Sequence, residues 1–216
     1  MRVVIAGGHG QIALRLTKLL ADDGHEVVGL IRNPAHEGDL AAAGGQAAVL
    51  DLEQVDVAPV ADVLTGADVA IFSAGAGPGS GKARKDTVDR AAAALFADAA
   101  EQAGVRRHIQ VGSMGADRAE SLHDDDVFTV YLKAKKAAED DLRRRDLDWT
   151  ILRPGSLTND PGTGNVLLGD KTGNGSISRD DVALVLAGLC DIPASIGRTL
   201  ELVAGDTPVA EALKNL

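Results

Sequence analysis

One stretch near the start of the chain limits the architectures open to it. Arg2 to Ala13 reads Arg-Val-Val-Ile-Ala-Gly-Gly-His-Gly-Gln-Ile-Ala. Val3 to Ala6 are small or β-branched and apolar without alternation, the pattern of a strand buried on both faces, and glycines interrupt it at once. Leu14, Leu16, Leu19 and Leu20 then recur at helical spacing. The stretch is strand, tight turn, helix. The first amides of a helix lack intrahelical partners and carry the positive end of its dipole, so such a junction suits a pyrophosphate. Gly10 lets backbone approach the phosphates, and Ala13 is small enough for the helix to lie close on the strand. The spacing fits two registers, Gly8-x-Gly10-x-x-Ala13 and Gly7-x-x-Gly10-x-x-Ala13, and does not choose between them. A first strand before the glycines and an amphipathic helix after them is the context in which the motif reads as a dinucleotide site rather than a bare turn.

A chain of 216 residues predicts one domain with a sizeable core. With 45% hydrophobic residues but only 2% aromatics, that core must be mainly Ala, Val, Leu and Ile. A net charge of -10 argues against nucleic acid or an anionic membrane as partner. A small anionic cofactor stays open, because local amides and one or two basic side chains override the global field. The single cysteine, Cys190, excludes an intramolecular disulfide and sits in the apolar run from Val182, where it reads as packed core. With no signal-like segment before the first strand and no apolar run of membrane-spanning length, a cytoplasmic protein is expected, as monomer or homodimer.

The rest of the chain alternates strand and helix signals without a repeat period. Strands are predicted at Glu26 to Ile31, Gln46 to Leu50, Ala67 to Ala74, Arg106 to Val111, Asp148 to Leu152, Val166 to Leu168 and Thr199 to Val203. Helices are predicted at Ala35 to Ala43, Val57 to Leu64, Lys85 to Gln102, Val127 to Arg145, after an N-cap at Ser178, and at Pro208 to Leu213. The glycine-rich Gly75 to Gly81 reads as a mobile loop leaving the carboxyl end of a central strand, which fits a lid or a plain connection.

The strand tips carry the candidate site. In the dinucleotide fold the second strand ends at the adenosine ribose, where an acid suits NAD and an arginine suits the 2′-phosphate of NADP. Arg32 lies 22 positions after Gly10 and favours NADP. Asp51, at the third strand's tip, fits either an acceptor for the adenine amino group, with Leu52 against the ring, or a cap for the next helix. Tyr131 and Lys135 stand one turn apart on one helix face. A phenol is a poor base at neutral pH unless an adjacent ammonium stabilises the phenolate, so the pair fits proton transfer, with Ser113 hydrogen-bonding the substrate oxygen. The same spacing also arises with the ring in the core and the lysine in solvent. Asp124 to Asp126 reads as a helix cap and solvated loop rather than a metal site, since no further ligand recurs at suitable spacing. The five histidines form no site; His9 lies in the phosphate turn and the others are scattered at element ends. Arg143 to Arg145 reads as a complement to the helix dipole on a solvated face, with no partner assigned.

Gly-Gly-His-Gly-Gln-Ile-Ala, the Ser113 turn, Tyr131-x-x-x-Lys135, Leu152-Arg-Pro-Gly155 and Ile177-Ser-Arg-Asp-Asp-Val-Ala183 occur in the order seen in atypical short-chain dehydrogenases/reductases of the NAD(P)H-binding, NmrA-like type. The chain resembles that family over essentially its whole length. The resemblance implies an α/β fold, a Rossmann-like doubly wound parallel sheet, in which residues 154–216 contribute a reduced substrate-side lobe. It implies the Gly7-x-x-Gly10-x-x-Ala13 register, with NADP bound by Gly7, His9, Gly10, Gln11, Ile12 and Ala13 at the turn. Arg32 and Asn33 would meet the 2′-phosphate side, Asp51 and Leu52 the adenine, Ala74 and Gly75 the ribose side, and Pro154, Gly155 and Ser156 the nicotinamide edge. Ser113, Tyr131 and Lys135 would form a catalytic triad, with Lys135 also on the cofactor, and Asp89 would stand where an asparagine completes the tetrad.

These readings converge on an NADPH-dependent reductase of a small carbonyl, quinone or flavin-like acceptor. In one variant hydride passes directly to a flavin or tetrapyrrole-like ring and Tyr131 is dispensable. A non-catalytic NADP(H) sensor would instead have an empty or occluded space over the nicotinamide. A sugar-nucleotide epimerase would need basic groups for a diphosphate, and the residues after Pro154 offer chiefly Lys171 and Arg179.

Overall fold

The first strand, β1 (Arg2–Ala6), is buried on both sides, and alternate residues enter different layers of core. Val3 and Ile5 pack with α1 (Gln11–Asp22), whereas Val4 and Ala6 face the opposite layer. This is what a strand without hydrophobic alternation requires. A computed structural model of the chain describes residues 1–77, 79–122 and 126–216, the side chain of Glu120 excepted.

From α1 the chain runs through β2 (Glu26–Ile31), α2 (Glu37–Ala42), β3 (Gln46–Val49), α3 (Val57–Leu64) and β4 (Val69–Phe72). A helical stretch follows, α4 (Lys82–Arg84), a π-helical segment Lys85–Ala91, and α5 (Ala92–Ala103). Then come β5 (Arg107–Val111), α6 (Val127–Leu142), β6 (Asp148–Pro154), β7 (Ser156–Thr158), β8 (Asn165–Gly169), β9 (Ser176–Ser178), α7 (Arg179–Leu189), β10 (Arg198–Ala204), β11 (Thr207–Pro208) and α8 (Val209–Lys214). Among the described residues, nine strands form one sheet in the order β11-β8-β10-β6-β5-β4-β1-β2-β3. The strands from β3 through β10 are parallel, and β8 and β11 add an antiparallel edge. The protein is thus a single Rossmann-like α/β domain. β7 and β9, which carry no sequence signal strong enough to predict, pair with each other apart from the sheet.

Helices α1, α7 and α8 cover one face and α3, α5 and α6 the other. The second face is built from small side chains: Ala92, Ala93, Ala99 and Ala100 of α5 are buried, so the helix lies close to the strands. Phe72 and Phe96 fill the remaining space. The helix predicted from Lys85 instead starts at Lys82 and is π-helical over its next seven residues. Ser178 caps α7 by accepting from the Asp181 amide, as its sequence predicts. No described helix is long and apolar enough to cross a membrane.

Candidate functional site

The parallel strands end along one sheet edge, and the chain leaves β1 toward β2 on one side while β4 lies on the other, the point where this topology opens a crevice. At Gly7 the backbone turns with φ 79°, and a Cβ there would stand 2.7 Å from the Ala74 Cα. Gly10 closes the turn by donating its amide to the Gly7 carbonyl at 2.8 Å. Gly8 serves a different purpose, since a Cβ on it would meet the Gly29 Cα of β2 at 2.6 Å. The geometry therefore selects the Gly7-x-x-Gly10-x-x-Ala13 register, with Ala13 fully buried beneath the helix start. No side chain caps α1 and no acid stands in its first turn. Its free amides and the bare glycine surface fit the pyrophosphate of a dinucleotide.

Two hollows meet over this turn, sharing Gly10 and Ser73 to Ala76. The smaller, about 320 Å³, lies at the tips of β2 and β3 and is lined by His9, Arg32, His36, Asp51, Leu52 and Arg84 among others. Arg32 is largely exposed and stands 3.5 Å from Glu53 Oε2. Arg84 donates to the same oxygen at 2.5 Å and Thr87 to Oε1 at 2.7 Å. The Glu53 carboxyl is consequently held below its usual range, first by the Arg84 hydrogen bond. Sequence reasoning missed Glu53 and Arg84; the available signal was a carboxylate two residues past the β3 tip. Asp51 lines the hollow while its Oδ1 accepts from the Glu53 amide at 3.0 Å, so it is a turn cap as well. Asn33 accepts from the Ala35 amide at 3.0 Å and does not line the hollow.

The larger hollow, about 670 Å³, is lined by Gln11 and Ile12 of α1, Ser113 after β5, Tyr131 and Lys135 of α6, and Pro154 and Gly155 after β6. Ser156 is exposed beyond it. Lys135 is 4% exposed, and its ammonium donates to the Ala74 and Val111 carbonyls at 3.3 and 3.2 Å. It also stands 3.2 Å from Asp89 Oδ1, an ion pair not aligned as a hydrogen bond. Asp89 is fully buried and accepts from the Ala76 amide through Oδ2. The π-helical segment thus brings Asp89 against Lys135, and Asp89, Ser113, Tyr131 and Lys135 gather on one cavity. Ser113 Oγ is within 3.4 Å of the Met114 carbonyl, a weak contact that leaves it free to turn. Lys85, which the sequence did not single out, stands 5.2 Å from the Tyr131 ring centroid, nearer than Lys135 at 5.9 Å.

Four sequence expectations need correction or completion. Arg143 and Arg145 are not a solvated face: Arg143 pairs with Glu139 and Asp140, and Arg145 with Asp98, Glu101 and Asp141. Their partners lie one helical turn away or on neighbouring elements, and the α6 end packs on α5 instead of pointing to water. The histidines are not all scattered at element ends: His9 stacks on His36 with centroids 3.5 Å apart and bonds Asp39, and His108 is fully buried within β5. The Gly75 to Gly81 loop is tied at Ala76 by Asp89 and at Gly77 by Lys85; its Pro78 lies outside the described residues. Of the acidic run, Asp126 caps α6, while Asp124, Asp125 and the neighbouring His123 also lie outside them.

Comparison with known proteins agrees with this geometry. A family model described as NAD(P)H-binding matches residues 7–193. An uncharacterized sugar epimerase of Bacillus subtilis is 37% identical over 100% of both chains. Among solved structures, a candidate NAD-dependent epimerase/dehydratase of Bacillus halodurans superimposes with a TM-score of 0.92 at 34% identity, over 100% of both chains. The ChuY anaerobillin reductase of Escherichia coli O157:H7 does so at 0.78 and 26%, covering 95% of this chain and 98% of that one.

Proposed function

Because this chain belongs to the NAD(P)H-binding family, within the atypical short-chain dehydrogenases/reductases, we propose that it is an NADPH-dependent reductase of a small carbonyl, quinone or flavin-like acceptor. The observation that carries this reading is the open hollow of about 670 Å³ that adjoins the glycine turn and is lined by Ser113, Tyr131 and Lys135. A reduced nicotinamide supplies hydride when bound. The chain's own groups handle the acceptor: the Ser113 and Tyr131 hydroxyls hydrogen-bond its oxygen, and Tyr131 delivers the proton. Lys135, held by Asp89 and two strand-end carbonyls, fixes α6 against the loops after β4 and β5. Arg32 and Arg84, both on Glu53, support the 2′-phosphate of NADP at the smaller hollow.

One observation favours the variant in which Tyr131 is dispensable. The Lys135 ammonium is engaged by Asp89 and two carbonyls rather than left to the phenol, so direct hydride transfer to a conjugated ring is the second reading, in keeping with the reductase named among the structural relatives. An open hollow disfavours the sensor. The epimerase loses one of its two cations, since Lys171 pairs with Asp117 and Glu201.

Fluorescence titration with NADPH and NADH, followed by NADPH oxidation with quinones, flavins and aldehydes, tests the proposal. Arg32→Ala is expected to weaken NADPH about ten- to a hundred-fold and NADH little, the worth of a hydrogen bond to a charged group. Turnover that survives Tyr131→Phe selects the second reading. Binding without turnover of any acceptor returns the sensor, and no binding of either nucleotide removes the cofactor site.

A further inference from the structure

The cations around the larger hollow are not all accounted for by the protein. Inside this acidic chain, the other buried cations have carboxylate partners: Lys135, on the same hollow, has Asp89, and Arg153, away from it, has Glu139 and Asp117. Lys85 has none. It is 8% exposed, on the π-helical segment, and its ammonium donates to the Gly77 carbonyl at 2.9 Å and lies over the Tyr131 ring. A desolvated ammonium is costly unless it is paired, and two of its three protons have no acceptor among the described residues. Arg179, at the start of α7, lines the same hollow and donates to the neutral Asn159 side-chain oxygen at 2.9 Å, with no carboxylate partner among the described residues. Asp89 is committed to Lys135, and Asp126 on the rim is exposed and accepts from the Phe128 amide. The lining that the two cations share also includes the apolar side chains of Ile12, Val111, Phe128 and Leu157 beside Tyr131.

We propose that Lys85 and Arg179 form an anion site for the acceptor, so that the hollow takes a flat, conjugated molecule bearing a carboxylate. The inference rests on the reductase reading and names its substrate class. The apolar walls hold the conjugated body, and the two cations hold its charged edge. Charge-assisted hydrogen bonds to a carboxylate are the strong kind, and Lys85 would make its own from a buried position.

Calorimetry with 2-naphthoate and its methyl ester, on the full chain with and without saturating NADP, decides it. The acid is expected to bind at least about ten-fold more tightly than the ester. Lys85→Met and Arg179→Gln should each reduce that ratio and the double variant bring it near one, while Lys85→Arg keeps most of it. Equal binding of acid and ester by the parent, or a preference that survives the double variant, overturns the proposal. So does a loss confined to NADP affinity, which would assign the Lys85 charge to the cofactor. Failure of NADP to bind at all would strike the cofactor reading, and the acid and ester comparison on the free chain would still decide this one. Melting curves of each variant separate misfolding from lost recognition.

Discussion

Helix α6 contributes to two buried ion pairs one turn apart, and they differ in what they leave open. Glu139, fully buried, receives Arg153 of β6 through both carboxylate oxygens and Arg143 as well, while Arg153 also grips Asp117. That network lines neither hollow: Glu139 and Arg153 are enclosed by protein, and its outer members, Asp117 and Arg143, reach solvent. Lys135 pairs with Asp89 at 3.2 Å, yet both border the larger hollow. The first pair ties β6, α6 and the turn after β5 together; the second does similar work at the wall of a cavity. A buried ion pair is weak evidence for stability by itself, because desolvation offsets the attraction, so the surroundings decide what each is for.

The sharpest way to break this comparison is Arg153→Met. Removing one member leaves Glu139 buried with Arg143 alone, which should cost about 3–5 kcal/mol in urea unfolding. NADPH affinity of the folded fraction should be unchanged. A small loss of stability would show that the network is not structural. Next in size is the double change Asp89→Leu with Lys135→Met, which removes both charges together. Stability is expected to stay within about 1–2 kcal/mol of the parent, while turnover falls on the order of 100-fold. Unaltered kinetics would make this pair as purely structural as the other.

Acid sharpens the comparison further. Arg153 holds the Asp117 carboxyl well below the usual carboxylate range, chiefly by hydrogen bonding. A carboxyl depressed in the folded state stabilises above its unfolded value, and that contribution is lost as pH falls below about 4. Arg153→Met should therefore flatten the stability profile in that window. His108 is the limiting case of a buried titratable group with no partner among the described residues. Burial pushes it down to about 3 from 6.5, with Arg145 and Arg107 adding to the shift. Between those values the unfolded chain binds a proton that the folded one refuses. Stability should fall as pH drops through that window, by at most about 1.4 kcal/mol per pH unit. His108→Phe, beside Phe96, should remove this limb, which begins at higher pH than that of Asp117.

Much of the fold was legible because its signals are local. Val3 to Ala6 without alternation, the glycines after them and the leucines of α1 describe strand, turn and helix within one window, and Glu26 to Ile31 is a strand with the bounds its residues predict. The candidate site was legible in part. Tyr131 and Lys135 were visible as an i, i+4 pair, and Arg32 by its distance from Gly10. Glu53 and Arg84 were not, because neither belongs to a motif and each acquires meaning only from the other. Lys85 looked like the first residue of an ordinary helix; the π-helical turn that aims it at Tyr131 has no pattern of its own in the chain.

What the sequence determined alone was the alternation of strands and helices, the position of the glycine turn and the strand tips that border the two hollows, since side-chain period and glycine placement act over a few residues. What only the tertiary structure decided was the register of the glycines, set by Ala74 and Gly29 pressing on Gly7 and Gly8, and the partner of each buried charge. Asp89 and Lys135, or Glu139 and Arg153, meet across separate elements. Their pairing depends on which strands adjoin and how closely the helices lie on them, and no short stretch of the chain encodes that.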